Sequence, residues 1–324
     1  MMTVVVGLFA GYVISSFVLL RRPHLLHQSR NFPIHVQHIS HRGGAGERIE
    51  NSMDAFRNAV VNGTQMLELD CHLTRDNEVI VFHDSELMRA TGTAGCVADC
   101  EYGSLPPYLN KLPVTFEPGQ VCEQSHSPPS RIIRLRDVFD AFPDVIVNVD
   151  IKANDDRLIS EVSNLINEYQ RQKRTVWGAM DRKVAAKCRR TNPEVLMYPP
   201  LAHGLGYILA YHIGLLPFLP IPYDCFEFPL MQAIRDKRPM HWQANNTWKT
   251  RAVVQLLCYL MSFPGMYEHI KRRGIPVFMW VGNTYSEFRT AFELGATGVM
   301  TDYPSRLRAF LDGDTKMADR TTSS

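Results

Sequence analysis

Residues 4–20 are uncharged and almost continuously apolar, and Arg21, Arg22 and Pro23 follow at once. About 17 such residues is the short end of what a spanning helix needs. A cleaved signal peptide carries its basic residues before the apolar run and a small-x-small site after it. Here the basic pair comes after, which predicts a retained anchor over residues 1–23. The positive flank places the following chain on the cytosolic side.

From residue 36 the apolar positions become periodic. The run 36–39 reads as a strand entering a glycine turn, Ser40-His41-Arg42-Gly43-Gly44. Asn51 reads as the start of a helix to about Val61, with Asp54 three positions on in a capping-box-like arrangement and Asn62-Gly63 closing it. Over 66–74 alternation is sharp: Leu67, Leu69, Cys71 and Leu73 share one face, Glu68, Asp70 and His72 the other. That is the period of a strand. A turn at Asp76-Asn77 leads to a strand over 78–82 that ends at His83-Asp84. Residues 85–130 lack periodicity and are rich in Gly, Pro and Ser, as expected of an insertion over the active face. Further strands are expected at 145–151, 175–179, 195–198, 276–281 and 298–301. Helices are expected at 135–142, 155–171, 182–191, 252–271, 287–294 and 305–311, and a disordered tail at 313–324. About eight strands alternating with helices predict parallel βα units. Closure into a (β/α)8 TIM barrel over 36–312 is the expected outcome, with an open sheet as the alternative that alternation alone leaves.

The stretch 203–222 is apolar and ends in prolines. A second span there would divide a closed barrel between two sides of a membrane. A shallow membrane-facing hairpin or amphipathic insert is expected instead, with a buried core helix as the rival.

Composition changes this picture little. The chain has 324 residues, 45% hydrophobic and 21% charged, which suits one large domain and excludes wholesale disorder. A formal net charge of +2 gives no field that would recruit nucleic acid, so none is expected as a partner. The seven cysteines include no C-x-x-C pair, which leaves a zinc ribbon unsupported. Reduced, unpaired thiols are expected, Cys96 and Cys100 included.

The candidate chemistry lies at strand ends. His41 follows the first strand, Glu68 and Asp70 share a face of the second, His83 and Asp84 end the third, and Asp150 and Lys152 end the fourth. Parallel barrel strands converge on one mouth. Taken singly, a Glu-x-Asp or a His-Asp is usually a solvated strand feature. Their occurrence at successive strand ends is hard to explain as surface decoration. Three carboxylates repel one another unless a hard divalent cation joins them, and oxygen ligands suit Mg²⁺ or Ca²⁺. Glu68, Asp70 and Asp150 are the expected ligands. His41 and His83 are the expected acid–base pair, and Arg42 and Lys152 are placed to hold an anionic group. Together these parts match phosphoryl transfer or phosphodiester hydrolysis.

His41-Arg42-Gly43, Glu50-Asn51-Ser52, Glu68-Leu69-Asp70, Thr74-Arg75-Asp76 and His83-Asp84 resemble the signature of the glycerophosphodiester phosphodiesterase domain. Trp280-Val281-Gly282-Asn283, Gly295-Ala296-Thr297-Gly298 and Thr301-Asp302-Tyr303-Pro304 resemble its closing motifs, so the likeness covers about residues 38–312. The anchor and the 203–222 insert look like a membrane-bound branch acting as lysophospholipase D. The resemblance implies a TIM barrel, His41 and His83 as acid and base, and Glu68, Asp70 and a carboxylate near 150 as metal ligands. It implies Glu50 as a site residue fixing His41, Arg42 or a ligand, and Asn283 as a supporting residue. In two places the chain departs from the pattern. Asp150-Ile151-Lys152 stands where Glu-x-Lys is usual, so the metal must sit closer to that strand or accept a water. Val281-Gly282 stands where Thr-Val is usual.

The expected activity is hydrolysis of lysoglycerophospholipids to lysophosphatidic acid and a free headgroup alcohol. The expected address is an intracellular membrane such as the endoplasmic reticulum, with the barrel facing the cytosol. One alternative is hydrolysis of soluble glycerophosphodiesters; another is a catalytically inactive, membrane-bound lipid-binding protein. The apolar insert favours a substrate with an acyl chain, and the full set of acid, base and ligand residues speaks against inactivity.

Overall fold

A computed structural model describes residues 2–33, 35–124, 129–237 and 247–314. The tail expected at 313–324 lies outside the described residues from 315 onward, as do 125–128 of the 85–130 insertion.

Eight parallel strands form the frame: β1 (His38–Ser40), β2 (Met66–Leu73), β3 (Ile146–Ile151), β4 (Thr175–Gly178), β5 (Leu196–Met197), β6 (Phe226–Pro229), β7 (Val277–Trp280) and β8 (Gly298–Thr301). Each lies beside its neighbours in sequence, and β8 pairs with β1, as in a TIM barrel. Every residue of β2 is buried, because helices cover one face and the lumen the other. Register then sorts the lumen into layers. Met66 pairs with Ile146 in an apolar floor, Glu68 with Asn148 above it, and Asp70 with Asp150 above that.

The ring has one seam. No ladder joins β5 to β6 among the described residues. Asp224 spans the gap: its N–H donates to the Met197 carbonyl at 2.9 Å, and its carboxylate accepts the Met197 N–H at 3.0 Å.

The structure corrects four sequence expectations. The segment expected as a barrel strand at 78–82 is a short strand, Val79–Val81, antiparallel to β2. The tight Asp76-Asn77 turn is the reason, since parallel strands need a crossover of a dozen residues or more. The missing barrel strand is β6, which the sequence reading did not contain. The helix expected at 252–271 is two, Trp248–Leu260 and Pro264–Arg272. Pro264 has no N–H and its ring clashes with the preceding turn, so it starts a helix and cannot continue one. Finally, the cap of helix Met53–Val61 is Ser52, whose hydroxyl accepts the Ala55 N–H, and not Asn51.

Residues 203–222 form most of helix Leu201–His212, a turn at Gly214 and a short 3-10 segment, Leu216–Phe218. Gly204 and Ile208 are buried, whereas Leu209 and Ile213 face outward. The N-terminal helix α1 (Met2–Arg21) is exposed along almost its whole length. Among the described residues it is the one helix long and apolar enough to cross a membrane. Its last turn is fixed to the barrel: His269 Nδ1 lies 3.0 Å from the Leu20 carbonyl, and Arg272 donates to that of Arg21 at 2.8 Å. All seven cysteines are free.

Candidate active site

The turn after β1 sets the first half of the site. Arg42 takes a left-handed φ of 49°, and Gly43 and Gly44 follow at 77° and 103°. A Cβ on Gly43 would lie 2.6 Å from the Phe56 ring, and one on Gly44 2.6 Å from Pro304, so only glycine fits both places. The turn aims the Arg42 N–H at the Glu68 carboxylate, 2.7 Å away. It also brings His41 Nδ1 to 2.6 Å from Asp302 Oδ1. Asn283 holds Asp302 in place, donating to its other carboxylate oxygen at 2.9 Å and accepting its N–H at 2.9 Å.

His83 arrives from the antiparallel strand and sits beside its own carboxylate, Nδ1 2.6 Å from Asp84 Oδ1. Arg89 links Asp84 to Glu50, donating to both, the latter at 2.6 Å. Glu50 also accepts from Arg42 at 3.2 Å. Each catalytic-type ring therefore has Nδ1 engaged by a carboxylate, leaving Nε2 for the cavity that both residues line. Their electrostatics differ. Burial works to lower the His41 pKa, but Asp302, by charge and hydrogen bond, outweighs it and the net direction is up. For His83, burial and then the Arg42 charge carry the pKa below its usual value.

Carboxylates crowd the other side. Lys152 Nζ lies 2.8 Å from Asp70 and 2.6 Å from Asp150, so it spans the two. Asn51, released from capping, donates to Asp70 at 2.9 Å, and Tyr198 donates to Asp150 at 3.0 Å. Burial opposes the Asp70 charge, but Lys152, His83 and Arg42 hold its pKa well below the carboxylate range. Glu68 behaves oppositely: burial and then Asp70 push it up to about 7. Glu227, on β6, is raised well above the usual value by burial and then by Glu68 and Asp150, and accepts from Asn148 at 2.7 Å.

Among the described residues no three His, Cys, Asp or Glu side chains form a ready-made metal cluster. The donor set nevertheless fits a hard divalent cation. Its atoms are carboxylate oxygens, and two of the four carboxyls are displaced upward by burial and then by their neighbours' charge, both of which a bound cation would offset.

His41, Arg42, Glu68, Asp70, His83, Asp150 and Lys152 all line one cavity of about 640 Å³, with Glu50 and Asn283 behind its wall. Asp302, Arg89, Asn51, Tyr198, Asn148 and Glu227 join the site without being expected there from the sequence. Asp302 was visible inside the Thr-Asp-Tyr-Pro motif, and Asn51 inside Glu-Asn-Ser. Glu227 stood between Phe226 and Phe228 in a strand too short to show its period. The remaining wall is apolar, including Leu201, Leu205, Ile208, Leu257 and Met261. Phe116, from the insertion, meets the His41 ring edge-on at 5.4 Å.

Residues 41–196 match the glycerophosphoryl diester phosphodiesterase family. The human protein named lysophospholipase D GDPD1 is 43% identical over 301 residues, 93% of this chain and 94% of that protein. Human lysophospholipase D GDPD3 is 38% identical over 302 residues, 93% of each. Among solved structures, a putative glycerophosphoryl diester phosphodiesterase from Silicibacter pomeroyi superposes with a TM-score of 0.62 at 18% identity, covering 88% of this chain and 96% of that one. An Oleispira antarctica phosphodiesterase in complex with the product sn-glycerol-3-phosphate gives a TM-score of 0.57 at 15% identity, covering 85% and 96%.

Proposed function

This chain belongs to the glycerophosphoryl diester phosphodiesterase family, and on that premise we propose that it is a lysophospholipase D, releasing lysophosphatidic acid and a headgroup alcohol from lysoglycerophospholipids. One observation carries the reading. The histidine–carboxylate cluster and a wall of Leu201, Leu205, Ile208 and Leu257 belong to the same cavity. The charged end suits a phosphodiester and the apolar wall an acyl chain. The human relatives carry the name lysophospholipase D.

Glu68, Asp70 and Asp150 would hold the divalent ion. When bound, it supplies Lewis-acid polarisation of a phosphoryl oxygen. Arg42 and Lys152 add positive charge beside the phosphate. His41, whose protonated form Asp302 favours, is suited to give its Nε2 proton to the leaving alcohol oxygen. His83, with its lowered pKa, is suited to take a proton from the attacking hydroxyl. That hydroxyl belongs either to water or to the substrate's own glycerol, and the second route gives a cyclic phosphate first. α1 serves as the anchor, with Arg21 and Arg22 favouring a cytosolic barrel on an intracellular membrane such as the endoplasmic reticulum.

The test offers purified protein lysophosphatidylcholine and glycerophosphocholine side by side, with Mg²⁺ or Ca²⁺, and follows choline release. Higher kcat/KM on the lysolipid is expected. Preference for glycerophosphocholine would replace the lipid reading with a soluble one, and no turnover of either would leave lipid binding alone.

A further inference from the structure

Two helices wall the cavity on its apolar side, and both carry large apolar residues exposed on their outer faces as well, although Arg251 and Gln255 are exposed beside those of the second. Helix Leu201–His212 turns Gly204, Leu205 and Ile208 toward the cavity, while Leu209 and, at its end, Ile213 are 56% and 61% exposed. Helix Trp248–Leu260 turns Leu257 inward, while Val253, Leu256 and Tyr259 are 54%, 55% and 61% exposed. The helices meet where His212 Nε2 lies 2.7 Å from the Leu260 carbonyl. A partition one helix thick thus separates the substrate cavity from the exterior. So many large apolar side chains exposed side by side are unusual for a surface that meets water.

The contacts with α1 identify what covers it. Ser16 Oγ donates to the Gly214 carbonyl at 2.8 Å, Tyr12 donates to the Ile213 carbonyl, and the Tyr12 ring stacks on Phe218 at 5.9 Å. Ser16 and Tyr12 precede Arg21 by five and nine residues. At a helical rise of 1.5 Å per residue, they stand about 7.5 Å and about 13.5 Å from the charged end of α1. The hydrocarbon layer is about 30 Å thick. A helix that crosses it therefore carries the 213–214 turn a quarter to nearly half of the way in. His212 brings the end of Trp248–Leu260 to the same level. Trp248 and Lys249, at the opposite end of that helix, are the residue types that favour the headgroup boundary.

We infer that the 213–215 turn and the Val253–Leu256–Tyr259 stripe are immersed in the leaflet next to the barrel, and that a lipid enters the cavity sideways from that leaflet, between the two helices. The entry route rests on the lysolipid reading above; the immersion rests on α1 as the anchor.

An Ile213→Cys variant tests the immersion, in a chain with Cys96→Ser and Cys100→Ser and a fluorophore on the new thiol. The chain is reconstituted in phosphatidylcholine vesicles. Lipids brominated in the acyl chain should quench the label, and aqueous iodide should not. The same label on Asp144→Cys, whose native side chain is 86% exposed, should behave in the reverse way. Iodide quenching equal at both positions overturns the inference. So does protection without bromine quenching, which is what a second copy or another protein seated on the face would give. For entry, an Ile213→Glu/Tyr259→Glu variant should lose tenfold or more of its turnover of lysophosphatidylcholine embedded in vesicles. It should keep its turnover of a short-chain lysophosphatidylcholine dissolved as monomer. Equal losses on both overturn the route. A wild-type chain inactive on both lipids refutes the lysolipid reading, while the quenching result still decides the immersion.

Discussion

His41 and Asp302 are 261 residues apart in the chain and 2.6 Å apart in the barrel. Ring closure makes the contact, since β8 pairs with β1 with Ser40 opposite Thr301. Asp302 fixes the tautomer of His41 and favours its protonated form, the role a buried carboxylate plays behind a catalytic imidazole. Asp302→Asn keeps the shape and removes the charge. Steady-state kinetics on lysophosphatidylcholine should show kcat lower by roughly a hundredfold with KM little changed. A loss confined to KM would mean that Asp302 does not act through His41.

Glu50 binds two guanidiniums, Arg42 and Arg89, in a setting where its side chain and that of Arg42 are each 4% exposed. Glu50→Ala leaves Arg42 buried beside one fewer anion. The cost should be about 3–5 kcal/mol, read as a lower denaturant midpoint. Burial tends to raise the Glu50 pKa, but Arg42 and Arg89 bring it down to about 2 from 4.5. A carboxyl depressed in the folded state adds stability above pH 4.5 and loses it as pH falls toward 2. The variant's stability should vary less across that window than the wild-type's, and an unchanged slope would remove Glu50 from the account.

Glu68 carries the opposite sign. Without a cation its carboxyl titrates near 7, so the folded chain keeps a proton that the unfolded chain releases at about 4.5. Its contribution to stability is therefore lost as pH rises from 4.5 to 7. Binding of Mg²⁺ or Ca²⁺ demands the carboxylate, so at pH 6 it should expel about one proton, and affinity should climb with pH until it levels above 7. Calorimetry in buffers of different protonation enthalpy counts that proton. No release at pH 6 would take Glu68 out of the ligand set, and full turnover in EDTA would remove the ion from the reaction.

Gly178 ends β4 opposite Asp150, and the Tyr198 ring occupies the space a side chain there would need. A Cβ would come within 2.7 Å of the ring. Gly178→Ala should cost about 1–3 kcal/mol by overpacking and pull the Tyr198 hydroxyl away from Asp150. Tyr198→Phe loses the same hydrogen bond with the ring in place. The two variants should share a weaker ion affinity, and only the first should show a large fall in Tm. Wild-type ion affinity in Tyr198→Phe would exclude this hydrogen bond from the site.

Much of the site was legible because strand alternation is local. Glu68 and Asp70 share a face by the two-residue period, and Asp150 and Lys152 follow the same rule. What the sequence hid was set by neighbours. Asn51 reaches Asp70, and Tyr198 reaches Asp150, only through the barrel register. Strand direction was hidden from the pattern too, since the apolar run at 79–82 looks the same in either sense. The Asp76-Asn77 turn did carry that information: two residues can join antiparallel strands and cannot join parallel ones. β6 escaped because four residues ending in Pro229, flanked by proline-rich chain, give alternation too little length to register.

The seam at Asp224 makes this barrel a hoop with a clasp rather than a welded ring. Tyr198 and Glu227 lie on its two lips, and helix Leu201–His212 departs from one of them. Every other junction between described strands is a ladder, whereas here side-chain bonds hold the lips: Asp224 to Met197 across the gap, and Tyr198 to Asp150 and Asn148 to Glu227 from within the barrel. Among the described strands, the junction without a ladder thus lies on the side that carries the apolar wall of Leu201, Leu205 and Ile208, away from the β2–β3 pair that carries Asp70 and Asp150.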